Sequence, residues 1–265
     1  GNSFPSKTEI SIRDLHQTHD DPEVKSQLWL LCGHNESPLI WHQPEKITEK
    51  VWLQIVAAKR FVQKRDCDEK VCKDLVEGLL DRKSPVHFVI VNRLRDFCIE
   101  SPHDVLCYSS LMPHNLLQRH VSEQQLSGPS EGIKGELSGP SEYILCGLLA
   151  ACGDANDDKL ILDRQFDDRM VDSMTSPEVS VALFLASRGE RGLDLLEERL
   201  VSFAATPELS KLEANQRRGW VGGVVNGICT ARGSDKISVE RLRSCVQKLL
   251  GREEYLPRVV QAMVV

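Results

Sequence analysis

The chain has 265 residues and a formal net charge of −6, and 41% of its residues are hydrophobic and 27% charged. This balance is typical of a globular protein with a sizeable core, and it excludes disorder over the whole length. The acidic charge excludes binding to a nucleic-acid backbone by bulk electrostatics, although a local basic patch stays open. Aromatic residues are only 5%, which favours packed helices over a sandwich or barrel.

Cysteine use indicates a reducing compartment. The chain has nine cysteines, an odd number, whereas a disulfide framework is typical of smaller, loop-rich chains with evenly paired cysteines. Four of them stand in apolar stretches, where we expect small buried hydrophobes: Cys98, Cys146, Cys152 and Cys245. We therefore predict an intracellular location, in the cytosol or nucleus. Because the first residues are Gly-Asn-Ser rather than Met, the chain is expected to be part of a larger protein.

The first elements, in chain order, are a polar lead-in and a strongly amphipathic helix. Residues 1–21 are polar with scattered apolar positions. In residues 45–64, apolar side chains recur every three or four positions, which places them on one helical face. These residues are Ile47, Val51, Ile55, Ala58 and Val62, with Trp52 and Val56 widening the face.

Further helices are predicted along almost the whole chain. Their expected ranges are 22–32, 68–82, 85–100, 102–119, 140–152, 157–174, 177–188, 190–204, 207–231 and 238–250, followed by a short tail helix. The run from Val86 to Val91 also fits a buried strand, but no second strong strand is available to pair with it. The prediction for this run is therefore a helix.

Several of these helices start with a hydroxyl residue followed by proline. The pairs are Ser84-Pro85, Ser101-Pro102, Ser176-Pro177 and Thr206-Pro207. The hydroxyl can accept a hydrogen bond from a backbone N–H at the helix start, and proline has no N–H to lose there. We expect each pair to mark an N-cap, although the same pairs also resemble proline-directed phosphorylation sites.

The middle of the chain interrupts the helical pattern. The string LSGPSE occurs at 126–131 and again at 137–142, within a stretch rich in Ser, Gly, Pro and Glu that lacks apolar periodicity. We predict a flexible linker at 121–139. It would separate an N-terminal helical half, 22–120, from a C-terminal helical half, 140–265.

The expected fold class is all-α. Helices of this length cannot bury an apolar face alone, so consecutive helices must stack on one another. The helix lengths and antiparallel pairing resemble the HEAT/armadillo-like α-solenoids at the level of architecture, and this resemblance implies a long surface that binds proteins. An irregular helical bundle is the alternative arrangement.

Candidate metal and catalytic residues do not form a convincing set. The Cys-x-His at Cys32 and His34, with His42 nearby, and the Cys-x4-Cys at Cys67 and Cys72 both lack a second ligand pair at a suitable distance. A thiolate at Cys67 is disfavoured by the neighbouring aspartates. We therefore predict no metal site, no cofactor and no enzyme activity.

Acidic pairs and a glycine cluster have structural interpretations. The pairs Asp157-Asp158, Asp167-Asp168 and Glu197-Glu198 are interpreted as solvated faces whose neighbouring carboxylates diverge. The glycines three to four residues apart predict close packing against another helix, with a helix break near Gly222-Gly223 as the alternative. These glycines are Gly219, Gly222, Gly223 and Gly227.

The tentative binding residues are basic or aromatic and lie in the N-terminal half. Lys59, Arg60, Lys64 and Arg65 are followed on the next helices by Arg82, Lys83, Arg93 and Arg95. If the helix ends align, these cations form a positive strip; otherwise they pair with nearby acidic residues on solvated faces. Trp41 belongs to an apolar loop that must pack on the chain's own core or in a partner's groove.

The sequence therefore favours a non-catalytic protein-interaction scaffold, a helical domain of a larger intracellular complex subunit. Its expected partner is a helical subunit or an extended peptide. The alternative is a nucleic-acid-binding helical module that uses the positive strip. No run of about 18 apolar residues is present, so no membrane partner is expected.

Overall fold

A computed structural model of the chain describes residues 49–64, 67–84, 87–126, 139–166, 177–204, 214–231 and 236–250. These ranges are helical with short connections and contain no strand, so the predicted all-α class is confirmed. The helices are α1 (Glu49–Val62), α2 (Glu69–Leu80), α3 (His87–Glu100), α4 (Pro102–Leu106), α5 (His114–Leu126), α6 (Gly139–Cys152), α7 (Asp158–Gln165), α8 (Glu178–Ala204), α9 (Ala214–Thr230) and α10 (Val239–Leu250). The predicted lead-in, the helix at 22–32 and the tail lie outside the described residues.

Most predicted helices are found within a few residues of their expected ends, and the described part of the ambiguous run, residues 87–91, lies in helix α3. The helix expected at 102–119 is wrong, because the chain forms α4, a 3-10 turn at Ser109–Leu111 and then α5. Pro113 explains the break, since a residue before proline is pushed out of the helical region. Met112 is accordingly extended, with φ −71° and ψ 141°.

Helix α8 bends where the sequence predicted two helices separated at residue 189. Gly189 has φ 63° and ψ −143°, a conformation outside the helical region that a side chain rarely adopts. A Cβ at this position would come within 3.0 Å of Lys236 Cβ. Lys236 Nζ also donates to the carbonyl oxygen of Ser187 at 3.2 Å. The conformation of Gly189 and this hydrogen bond together stabilise the bend.

The predicted N-caps are only partly used. Ser101 stands at the N-cap of α4 with Pro102 in the first turn, but its hydroxyl makes no capping hydrogen bond. Ser84 Oγ is buried and donates to Gln54 Oε1 at 3.3 Å. Asp68 caps α2 instead, by accepting from the backbone N–H of Val71 at 2.8 Å.

The chain divides into two compact units, Gly1–Arg93 and Leu94–Val265, so the division falls within α3. The sequence placed it at residues 121–139, whereas α5 continues to Leu126 and packs against α6 in the second unit. Helices on both sides of the predicted linker thus belong to one unit.

In the first unit, α1 and α2 form an antiparallel pair. Lys50 near the start of α1 binds Asp81 just after α2, with 3.1 Å between Nζ and Oδ2. Val51, Ile55 and Ala58 are buried, as their spacing predicted. They share a core with residues of α1, α2 and α3: Phe61, Cys72, Leu75, Val76, Leu79 and Ile90.

In the second unit, α6 is the central helix. Every residue from Ser141 to Ala151 is buried, and α6 contacts α4, α5, α7, α8 and the 3-10 turn. Such enclosure explains why α6 is apolar on all sides rather than on one face.

Alternate helices of the second unit are also neighbours, since α5 contacts α7 and α6 contacts α8. His120 of α5 meets Glu142 near the start of α6, and His114 meets Asp157 just beyond its end, so α5 and α6 are antiparallel. This arrangement is compatible with stacked helix pairs. None of the described helices is both long enough and apolar enough to cross a membrane.

Two glycines allow close helix packing in this unit. A Cβ at Gly147 of α6 would lie 2.9 Å from Leu183 Cδ1 of α8. A Cβ at Gly227 of α9 would lie 2.7 Å from both the carbonyl oxygen of Glu178 and Val181 Cβ. Helix α9 continues through Gly222-Gly223, so close packing is confirmed at Gly227 and the predicted alternative of a break is wrong.

Candidate interaction site and buried polar clusters

The solvent-facing side of α1 carries an apolar strip next to positive charge. Leu53 is 37% exposed, and it is a large hydrophobic side chain that the described part of the chain leaves open to solvent. Val56 and Arg60 are half-buried and follow Leu53 at helical spacings of three and four residues, on one face of the helix. We call Leu53, Val56 and Arg60 the outer face of α1.

The predicted cations of the first unit lie in two places. Lys59 and Arg60 are in the last turn of α1, and the exposed Lys64 follows at φ 56°. The exposed Arg82 and Lys83 follow the end of α2. Because α1 and α2 are antiparallel, these two groups stand at opposite ends of the helix pair.

The other predicted binding residues are dispersed or lie outside the described residues. Arg93 is half-buried at the end of the first unit, and Arg95 is exposed in the second unit. Burial raises the pKa of Glu178, and the nearby positive charge of Arg95 opposes that rise. Arg65 and Trp41 lie outside the described residues.

The acidic pair Asp157-Asp158 is buried, so its interpretation as a solvated face was wrong. Asp157 Oδ1 accepts from Gln118 Nε2 at 2.8 Å, and its Oδ2 accepts from His114 Nε2 at 2.8 Å and from the backbone N–H of Asp154 at 3.1 Å. Burial alone would raise the pKa of Asp157, but these hydrogen bonds and the charge of His114 lower it below its usual range.

Asp158 points to the opposite side, as predicted for adjacent carboxylates. Arg188 of α8 donates to Asp158 Oδ1 through Nε at 2.7 Å. The same guanidinium donates to the carbonyl oxygens of Ala150 at 3.1 Å and Asp154 at 2.9 Å, and so satisfies acceptors at the C-terminal end of α6. Arg191 adds a second contact to Asp158 at 3.2 Å.

A third cluster surrounds the N-terminal end of α6. Glu142 lies 3.3 Å from His120 Nε2 and 3.6 Å from Arg164 Nη2, with all three side chains largely buried. Glu142 belongs to the second LSGPSE copy. Its partners on α5 and α7 could not be predicted from the sequence, because each lies 22 residues away along the chain.

Helices α8 and α10 are joined by exposed and half-exposed charges. Arg241 donates to Glu197 Oε1 at 2.7 Å and to Asp194 Oδ1 at 2.6 Å. The hydrogen bond from Arg241 is the main cause that holds the pKa of Glu197 below its usual range. In the pair Glu197-Glu198, only the exposed Glu198 fits the predicted solvated position.

The described cysteines are free thiols. Burial raises the pKa of Cys72 and of Cys98 to about 12, so neither supplies a thiolate at neutral pH. Cys98, Cys146 and Cys245 are buried as predicted, whereas Cys152 is half-buried. The described residues contain no group of three His, Cys, Asp or Glu side chains arranged to hold a metal ion; Cys32, His34 and His42 lie outside them.

The geometry therefore provides three polar clusters that fix helices around α6 and one outward face on α1. Comparisons with protein-family models, with characterised proteins and with solved structures found no match to this chain.

Proposed function

We propose that the chain is a non-catalytic protein-interaction domain, a helical scaffold within a larger intracellular complex. The outer face of α1 carries this proposal. Its two apolar side chains, Leu53 and Val56, are adjacent along the helix and only partly covered. Complete burial of a fully exposed apolar side chain of this size contributes about 1.5–3 kcal/mol. Each of these partly covered side chains would gain a fraction of that, so together they can anchor a contact that Arg60 orients.

The architecture supports the same function. Charge-paired helices hold their neighbours in fixed positions, and a fixed surface loses little conformational entropy on binding. The compatibility of the second unit with stacked helix pairs supports a HEAT/armadillo-like arrangement as the finer form of the proposal. Free thiols at the described cysteines support a reducing location.

The test places a photo-cross-linking amino acid at Leu53 of the full chain in cells. The same residue at Lys73, which is exposed on α2, is the matched control. We expect a protein adduct at position 53 that is absent at position 73. The purified adduct partner should then bind the chain at micromolar concentration, and Leu53→Asp should weaken that binding about tenfold.

Two outcomes would remove the proposal. One is the absence of any adduct at position 53 above the control. The other is an adduct that joins position 53 only to residues 1–48 of the same chain, because the outer face would then be part of the chain's own fold.

A second function, nucleic-acid binding, is supported by the cations at the end of α1. A protein that neutralises several phosphates loses affinity steeply as salt rises. Binding of labelled single-stranded RNA and duplex DNA, measured by fluorescence anisotropy between about 50 and 200 mM salt, tests it. A steep fall of affinity with salt concentration that becomes shallower in Arg60→Glu supports nucleic-acid binding. Weak binding that does not depend on salt contradicts it.

A further inference from the structure

Within the described residues, four acidic side chains in and beside α2 are engaged by groups other than Arg60. Asp74 pairs with Lys70 and Glu77 with Lys73, both within α2. Asp81 pairs with Lys50 at the other end of the helix pair, and Asp68 Oδ1 is occupied in capping α2. Among the described residues, the guanidinium of Arg60 therefore keeps N–H donors beside the apolar strip that can bind an acceptor group of another molecule.

The spacing along α1 restricts what can bind there. Leu53 and Arg60 are seven residues apart, which is two helical turns or about 10 Å along the axis. A partner must therefore present an apolar surface and, about two turns further on, a carboxylate. Another helix matches these distances with an apolar residue at one position and an acidic residue seven positions away.

An extended peptide is a poorer match for this face. Its backbone N–H and C=O groups need partners when they leave water, and extended peptides usually obtain them from the edge of a sheet. The described residues around α1 are helical and offer no strand edge. A helix satisfies its own backbone groups and brings only side chains to the contact.

We infer that the outer face of α1 binds an acidic amphipathic helix, whose apolar side chains cover Leu53 and Val56 and whose carboxylate pairs with Arg60. This inference rests on the proposed function and names the chemistry of the partner.

The test uses stapled helical peptides and the full 265-residue chain. The probe has three repeats of Leu-Glu-Glu-Leu-Ala-Glu-Glu. One control peptide replaces every Glu by Lys, and a second keeps the composition but distributes the leucines around the helix. We expect fluorescence anisotropy to give about tenfold tighter binding of the probe than of either control, a difference of about 1.4 kcal/mol.

Charge exchange provides the sharper measurement. Arg60→Glu should weaken binding of the acidic probe about tenfold and strengthen binding of the lysine peptide, which a merely misfolded variant could not do. Lys83→Glu makes the same charge change at the end of the helix pair opposite to Arg60 and should alter the probe's affinity less than about twofold.

The outcomes separate this inference from the proposed function. Equal binding of the acidic and lysine peptides, or no response to Arg60→Glu, overturns the acidic-helix inference even when cross-linking at Leu53 identifies a protein partner. Failure of both the peptide binding and the cross-linking overturns the inference and the proposed function together.

Discussion

Asp157 is a charged side chain held in the core by three donors, and its charge gives those hydrogen bonds much of their strength. Its relative exposure is only 1%. Hydrogen bonds to a charged group are worth about 1.5–3 kcal/mol each, more than those between neutral groups. Gly153 makes the arrangement fit, since a Cβ there would lie 2.5 Å from Asp157 Oδ2.

Substituting Asp157→Asn should lower the free energy of unfolding at neutral pH by about 2 kcal/mol, because the amide cannot accept from all three donors as the carboxylate does. Urea denaturation measures the change. Asp96→Asn, at an exposed position of α3, is the control and should change stability by less than about 0.5 kcal/mol.

The pH dependence of this difference has a definite sign. The folded pKa of Asp157 lies below its ordinary value of 3.8, so the carboxylate stabilises the fold above the unfolded pKa and loses this contribution as pH falls through the folded pKa. The stability difference between wild type and Asp157→Asn should therefore shrink below about pH 4. A difference that grows on acidification would contradict the assigned direction.

Gln165 presents the opposite situation, a buried polar side chain without compensation. It is fully buried, and neither its amide nitrogen nor its amide oxygen has a hydrogen-bond partner in the part of the chain that the structure describes. Gln165→Met keeps a similar shape and removes the cost of the buried amide, so thermal unfolding should show a gain of about 1–3 kcal/mol. A loss of stability would mean that the amide is satisfied in solution.

At this scale the sequence predicts little, and the reason is geometric. The neighbouring acids at 157 and 158 look like a solvated pair because their partners are far away in the chain: His114 on α5 for one and Arg188 on α8 for the other. Only the packing of α5 and α8 against α6 and α7 brings those groups together. The exposure of Leu53 was missed for a different reason. The apolar spacing identifies the buried face of α1, but it does not show which apolar residues outside that face stay exposed.

The elements are predicted better, because their signals are local. Proline and glycine set backbone conformations directly, and the break of α8 at Gly189 follows from such a signal. The error at 102–119 has a local cause as well, because Pro113 was not treated as a helix break. Apolar spacing placed Val51, Ile55 and Ala58 in the core of the first unit.

Two glycines of α9 test how close packing competes with helix propensity. Gly227→Ala should lower the free energy of unfolding by about 1–3 kcal/mol, because its Cβ would enter the space of Val181 and the backbone of Glu178. Gly222→Ala meets nothing within 4 Å, so it should gain up to about 1 kcal/mol from helix propensity alone.

The measurement for both is chemical denaturation, and the comparison is internal because both residues lie on one helix. Equal effects of the two substitutions would mean that α8 and α9 are not in close contact at Gly227.

For the whole molecule, each of the two compact units has a core of its own. Leu75 is fully buried in the first unit and Leu183 in the second. Truncating either residue to alanine should cost about 2–5 kcal/mol in its own unit. The sequence does not reveal this division, because the boundary falls inside α3 and no linker composition marks it.

Native-state hydrogen exchange separates the two cores. Leu75→Ala should accelerate exchange of the α1 and α2 amides, whereas Leu183→Ala should act on α6 and α8. If both variants accelerate the same set of amides, the chain unfolds as one cooperative body and the two cores are not energetically separate.

The two parts of α8, before and after the bend at Gly189, contact different helices. The arm before the bend packs on α6 and α9 through Ser180, Val181 and Leu183, whereas the arm after it binds α10 through Asp194 and Glu197. Lys236, three residues before α10, lies against Gly189, and α10 contacts α9 as well as α8. A change of backbone direction at one residue therefore lets a single continuous helix serve two different sets of neighbours.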